Sequence, residues 1–168
     1  MGIREHRKNA LRKIKAGIIT VSTTRTMQND KSGEWIGKLT VKEGHSLLFH
    51  MVVSDDSSFI TRTILEVRRQ YKPHVILMSG GTGIAGSDVT IEAVRPLFTK
   101  ELTAFGPIFA QLSFEQIDSA AILSRAVAGV VENTIIFCMP GSLKACKLAC
   151  KEIIFPEIGH IVKHVIDP

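Results

Sequence analysis

Val75-Ile76-Leu77-Met78 runs straight into Ser79-Gly80-Gly81-Thr82-Gly83, and the fold turns on how that junction is read. An uninterrupted apolar run beginning with two β-branched residues is the pattern of a strand buried on both faces of a parallel sheet. Glycines directly after it let the backbone enter φ > 0 and let a ligand approach closely. Successive N–H groups in such a turn form a concave nest for phosphate or carboxylate. Asp88 or Thr90 then opens a helix. Strand, anion-cradling turn and helix together make the unit of an α/β domain.

The same alternation extends in both directions. Residues 16–22 form a first buried strand, and Asp30-Lys31-Ser32-Gly33 is a turn or cap before a helix over about 34–43. Residues 47–53 are a second strand. Asp55-Asp56-Ser57-Ser58 supplies capping residues for a helix whose apolar stripe is Ile60, Ile64, Val67 and Tyr71. Residues 104–117 are helical and 134–139 form a late strand. A helix striped by Ala145, Leu148, Ala149 and Ile153 follows; Pro156 interrupts it before a last amphipathic helix. Strands alternating with helices predict an α/β fold of three layers, a mostly parallel sheet with helices on both faces. Ligands in such sheets bind beyond the carboxyl ends of the strands. Four loops should therefore share one rim: Ser22 to Arg25, Ser54 to Asp56, the glycine turn, and Pro140-Gly141-Ser142.

Bulk properties narrow the class. The 168 residues suit one domain, with a basic arm over residues 1–15 and a single α/β domain over 16–168. The net charge of +5 sits in the arm, which has six basic side chains and one acidic, while the remainder carries fifteen of each sign. A neutral body argues against nucleic acid as a partner, since a nucleic-acid-binding domain shows a basic folded face. No apolar run approaches the roughly 20 residues of a membrane span, and the N-terminus has no signal-like apolar region. The expectation is a cytoplasmic protein with no membrane contact. Cys138, Cys146 and Cys150, odd in number, are expected to be reduced thiols. Cys146/Cys150 and His160/His164 have the four-residue spacing of metal-binding pairs, but no further ligand motif accompanies them and the structural reading is preferred.

The turn admits several ligand classes. A Walker loop is excluded, because no Gly-Lys-Ser/Thr follows. Gly81, Gly83 and Gly86 satisfy G-x-G-x-x-G with Glu101 at about the right distance, but no second strand ends at Glu101, which argues against a dinucleotide site. An anion site of another kind remains, beside a plain strand-to-helix turn without a ligand.

Five motifs in order then converge. They are the turn Ser79-Gly80-Gly81-Thr82-Gly83; Ser87-Asp88-Val89-Thr90 with Glu92-Ala93; Ile122-Leu123-Ser124-Arg125; Pro140-Gly141-Ser142 with Lys144-Ala145; and Asp30-Lys31-Ser32-Gly33, to which Asp55 after strand two adds a carboxylate. Their order and spacing resemble the molybdopterin-binding family that includes MogA and MoaB. Leu112-Ser113-Phe114-Glu115-Gln116-Ile117 and the segment from Ser124 to Gly129 lean towards its MoaB branch. The resemblance implies a protein of molybdenum or tungsten cofactor biosynthesis that forms a homo-oligomer, a trimer or hexamer. It implies molybdopterin as substrate, adenylylated with ATP and Mg²⁺ by an adenylyltransferase. Asp55 and Asp88 would be the catalytic pair and the Mg²⁺ ligands. Ser22, Ser79, Gly80, Gly81, Thr82, Gly83, Thr90, Pro140, Gly141 and Ser142 would bind substrate. The chain departs from the family pattern at Ser54 and Leu143, where proline is common, at Ser87, where arginine is common, and at Thr23, where aspartate is common. The alternative on the same fold is a non-catalytic, oligomeric molybdopterin carrier; a nucleotide-binding oxidoreductase is the more distant rival.

Overall fold

Strand β1 (Lys15–Val21) shows why a parallel sheet forms: every residue after Lys15 is buried, leaving no face for water. In the computed structural model, which describes residues 11–167, β1 pairs in parallel with β2 (Ser46–Val53) on one side and β3 (Val75–Ser79) on the other. Strand β3 pairs in parallel with β6 (Thr134–Met139). The six strands run in the order β2-β1-β3-β6-β5-β4, and β5 (Val127–Val131) and β4 (Lys100–Glu101) are antiparallel additions at one edge.

Alternate residues of each strand feed opposite cores, as the two-residue side-chain period requires. Ile18, Leu77 and Phe137 pack under α1 (Lys31–Lys42), α4 (Phe105–Ile117), α5 (Leu143–Leu148) and α6 (Phe155–Ile166). Ile19, Met78 and Ile136 pack under α2 (Ser57–Tyr71) and the short α3 (Thr90–Val94). The expected three layers are therefore present. The stripe Ile60, Ile64 and Val67 is the buried face of α2. No helix of the described residues is long and apolar enough to cross a membrane.

Two features depart from the sequence reading. Strands β4 and β5 were not expected. Strand β5 is five residues long and joined to β6 by Glu132-Asn133, a two-residue turn without glycine. Glu132 nevertheless takes φ 53, a conformation that hairpin turns usually give to glycine. Nor does Pro156 break the helix. A π-helical turn over Ala149–Ile154 joins α5 to α6 without interruption, and Pro156 falls in the first turn of α6. The wider turn accommodates the ring, which in a regular helix collides with the carbonyl four residues back.

The expected arm at residues 1–15 lies largely outside the described residues. Within them the fold starts earlier than residue 16: Ile14 is fully buried in the core and the Leu11 N–H donates to the Gly159 carbonyl. The three cysteines are buried, and burial pushes the Cys138 and Cys146 thiols up to about 12.

Ile64 is completely enclosed between α2 and the sheet. Ile64→Ala should lower unfolding free energy by about 2–5 kcal/mol in urea titration at fixed protein concentration. Glu66→Ala, on the exposed side of the same helix, should stay within about 0.5 kcal/mol.

Candidate functional site

The carboxyl ends of β1, β2, β3 and β6 open onto one edge of the sheet, and the loops that leave them meet there. The glycine turn is its centre. Gly80 and Gly81 have φ 96 and 61, in the left-handed region. A Cβ on Gly80 would stand 2.3 Å from the Val21 carbonyl oxygen, so the close approach of β1 also requires glycine. The Gly80 N–H donates to the Met139 carbonyl at 3.0 Å, tying the turn to the end of β6. On its far side Thr90 staples it: Oγ1 donates to the Gly80 carbonyl at 2.8 Å and the Thr90 N–H to the Gly81 carbonyl at 2.9 Å.

The structure thereby divides the expected binding residues into two groups. Ser79 and Thr90 are fully buried and Thr82 nearly so. The Ser79 hydroxyl lies 3.3 Å from that of Thr20 inside the sheet. The hydroxyls of Ser79 and Thr90 are therefore enclosed, that of Thr90 holding the turn itself. Ser22 also folds inward locally, its Oγ accepting the N–H groups of Thr24 and Arg25. Ser142 caps α5 through the Ala145 N–H. Gly141 sits against the glycine turn; a Cβ there would be 3.1 Å from the Gly80 Cα. Pro140, half-buried, leads into that contact.

Asp55 and Asp88 both reach the turn. A Cβ on Gly81 would lie 3.2 Å from Asp55 Oδ1, and one on Gly83 would lie 2.6 Å from Asp88 Oδ2. Neither is a helix cap. Asp56 caps α2, accepting the Phe59 N–H at 2.6 Å. Helix α3 starts after Val89 with no side-chain cap, and Asp88 instead accepts the Ala85 N–H at 2.8 Å. Glu101, the acid considered for a dinucleotide site, is on β4 and paired with Arg95 at 3.1 Å. Among the described residues no group of three or more protein ligands could enclose a metal. Two carboxylates are nevertheless enough for Mg²⁺, which takes its remaining oxygens from phosphates and water.

Asp30, His50 and Arg125 contribute to the site without having been named as site residues from the sequence. Buried Asp30, read from the sequence as a turn or cap residue and as part of a family motif, is a junction. It caps α1 through the Gly33 N–H at 3.1 Å, accepts the Thr20 hydroxyl at 2.5 Å, and lies 2.8 Å from His50 Nε2 and 3.7 Å from Arg25 Nη1. Arg25 Nη2 and Ser32 Oγ both donate to the Gly141 carbonyl, at 3.0 and 2.9 Å, so this junction also places the late loop. Arg125, on the approach to β5, donates to the Gly83 carbonyl at 2.8 Å and pairs with Glu92. His50 could have been suspected from the sequence as an ionisable ring between Phe49 and Met51 in a strand.

Burial would raise the Asp30 pKa, but hydrogen bonds from Thr20, the Gly33 N–H and His50 outweigh it and hold the carboxyl below its ordinary range. A depressed folded pKa contributes stability above the unfolded value, near 3.8, that is lost as pH falls through the lower folded value. Asp30→Asn should therefore cost about 1–3 kcal/mol at pH 7. The gap from wild type should close on acidification below about pH 4, read by thermal or urea unfolding across pH.

The site can be set beside known proteins. The family profile described as "Probable molybdopterin binding domain" matches residues 17–160. Molybdenum cofactor biosynthesis protein B of Bacillus subtilis (strain 168) is 43% identical over 166 residues, covering 98% of each chain. A crystal structure of a molybdenum cofactor biosynthesis protein B superposes with a TM-score of 0.90 at 39% identity, covering 93% of this chain and 98% of that one. The tungsten cofactor synthesizing protein MoaB from Pyrococcus furiosus superposes with a TM-score of 0.83 at 36% identity, covering 93% and 99%. With its motifs, its fold and these likenesses in agreement, the chain belongs to the MoaB/MogA family of molybdopterin-binding proteins.

Proposed function

We propose that this protein acts in molybdenum or tungsten cofactor biosynthesis, binding molybdopterin at the glycine-turn rim and adenylylating it with ATP. The observation that carries the reading is the approach of Asp55 and Asp88 to one backbone turn, with neither of them serving as a helix cap. In this reaction a terminal phosphate oxygen of molybdopterin attacks the α-phosphorus of ATP. The new P–O bond forms as the bond to the β-phosphate oxygen breaks, and pyrophosphate leaves. The attacking oxygen is already anionic, so the site needs no strong base; positioning and neutralisation dominate. The turn and the Gly141 loop offer backbone N–H groups to phosphate oxygens, and Arg25 adds a cation beside them. Asp55 and Asp88 would hold Mg²⁺, whose charge screens the phosphates and the departing pyrophosphate.

A homo-oligomer is part of the proposal. Ile108, Phe114, Ile117, Ile122 and Leu123 are all exposed, and Ile122 is 86% so. They lie on α4 and the 3-10 turn after it, and Ile84 at the edge of the glycine turn is exposed too. A closed trimer, alone or doubled, would bury such a surface next to the rim.

The deciding assay incubates the purified protein with molybdopterin, ATP and Mg²⁺ and follows adenylylated product and pyrophosphate. Asp55→Asn and Asp88→Asn should each retain pterin binding and lose about 100-fold or more of the rate. Asparagine can still accept the Ala85 N–H, so a purely structural Asp88 would leave the rate nearly intact. A wild type that binds molybdopterin but forms no product would replace the enzyme with a carrier on the same fold. For assembly, Ile122→Asp should shift the light-scattering mass from oligomer towards monomer; a wild-type monomer at micromolar concentration refutes the oligomer.

A further inference from the structure

The edge of the sheet opposite the rim holds a second concave site, a cleft of about 380 Å³ between the end of α2, the start of β3 and the β5–β6 hairpin. Its lining is basic: Arg68, Arg69 and Lys72 face a single acid, Glu132. Arg68 is the unusual member. Its side chain is only 9% exposed and it spends Nη2 on Glu132 Oε2 at 2.6 Å. Its Nε is buried without any hydrogen-bond partner, the sole such side-chain atom among the described residues. A buried guanidinium N–H without an acceptor is costly, so the position of Arg68 is one that the fold maintains against a penalty.

Cations do favour a helix C-terminus, and that would account for exposed Arg69 and Lys72. It does not account for a buried arginine with an idle donor. Nor does it account for the backbone. Of the three non-glycine residues with positive φ among the described residues, two line this one cleft: Lys72 at φ 48 and Glu132 at φ 53. Glycine is the usual occupant of both kinds of position. Strain of this type gathers at ligand clamps. Here it sets Lys72 and the Glu132–Arg68 pair around the same space. His74 adds a donor: its Nδ1 accepts the Lys15 N–H at 3.2 Å, so the neutral ring carries its proton on Nε2. Burial and the Lys15 charge hold its pKa down, so it serves there as a neutral donor.

We propose that this cleft is a second binding site, separate from the rim, for a small phosphate-bearing anion. Arg68, Arg69 and Lys72 supply the charge, Arg68 held in place by its enclosed stem and by Glu132. Glu132 orients Arg68 without cancelling the excess, which remains three cations to one acid. The proposal is independent of the reaction assigned to the rim.

The test follows backbone amide NMR shifts of Asn133 and Thr134, which lie in the cleft, during titration with inorganic pyrophosphate and, separately, adenosine monophosphate in physiological salt. Saturable shifts with either probe are expected, and the tighter probe tells whether free or esterified phosphate is preferred. Arg69→Ala/Lys72→Ala changes two exposed side chains and should preserve the fold. It should weaken the cleft response by about tenfold or more. Arg68→Met, which keeps an apolar stem but no donor, should weaken it likewise if it folds. Shifts confined to residues 79–90 and 140–142, or cleft shifts unchanged in the double variant, would overturn the proposal.

Discussion

A single buried carboxylate organises the functional edge. Asp30 is enclosed, yet it is ionised by design of its surroundings: a hydroxyl from β1, a backbone N–H from the first turn of α1 and a ring nitrogen from β2 converge on its two oxygens. Taking a charge out of water is expensive unless such partners replace the solvent. Because the partners come from three elements, satisfying the charge also sets how α1 and β2 sit on β1. Arg25 and Ser32 extend the same arrangement to the Gly141 carbonyl, so the loop after β6 is placed by a residue more than a hundred positions earlier.

The glycine turn shows a related economy. Its side chains are mostly turned inward or absent, which leaves the backbone as the surface a ligand would meet. Thr90 closes the turn with both its hydroxyl and its N–H, and Met139 anchors the other side. Preorganised backbone N–H groups need no reorganisation when an anion arrives. Asp55 and Asp88 stand beside this surface without being consumed by helix capping, and that is what distinguishes the rim from an ordinary strand-to-helix turn.

The two ends of the sheet present different physics. At the carboxyl edge anion recognition would rest chiefly on backbone, with carboxylates nearby that suit a divalent cation. At the opposite edge it would rest on side-chain cations, one of them buried. The antiparallel addition of β5 creates the second end, because the hairpin to β6 carries Glu132 over the end of α2 and against Arg68. A purely parallel sheet would have no such hairpin.

Sequence alone determined the architecture of the parallel part and the place of the rim. Buried β-branched runs, helical stripes such as Ile60, Ile64 and Val67, and glycine, proline and serine at strand ends are local patterns with local causes, and they survive folding unchanged. The family was legible for the same reason, since its motifs are short and lie at strand ends. Tertiary structure decided what depends on distant partners. Strand β5 is too short and its turn too atypical to read; it exists because β6 offers an edge. Nothing local distinguishes Asp55 from Asp56 as the cap of α2, and only the three-dimensional course of the loop gives the cap to Asp56 and turns Asp55 towards Gly81. Asp30 read as a cap and is one, but its role as a junction required His50 and Thr20 to be brought beside it by sheet pairing. Hydrogen bonds and charges act through space, and their partners are chosen by the packing of the whole domain and not by neighbours in the chain.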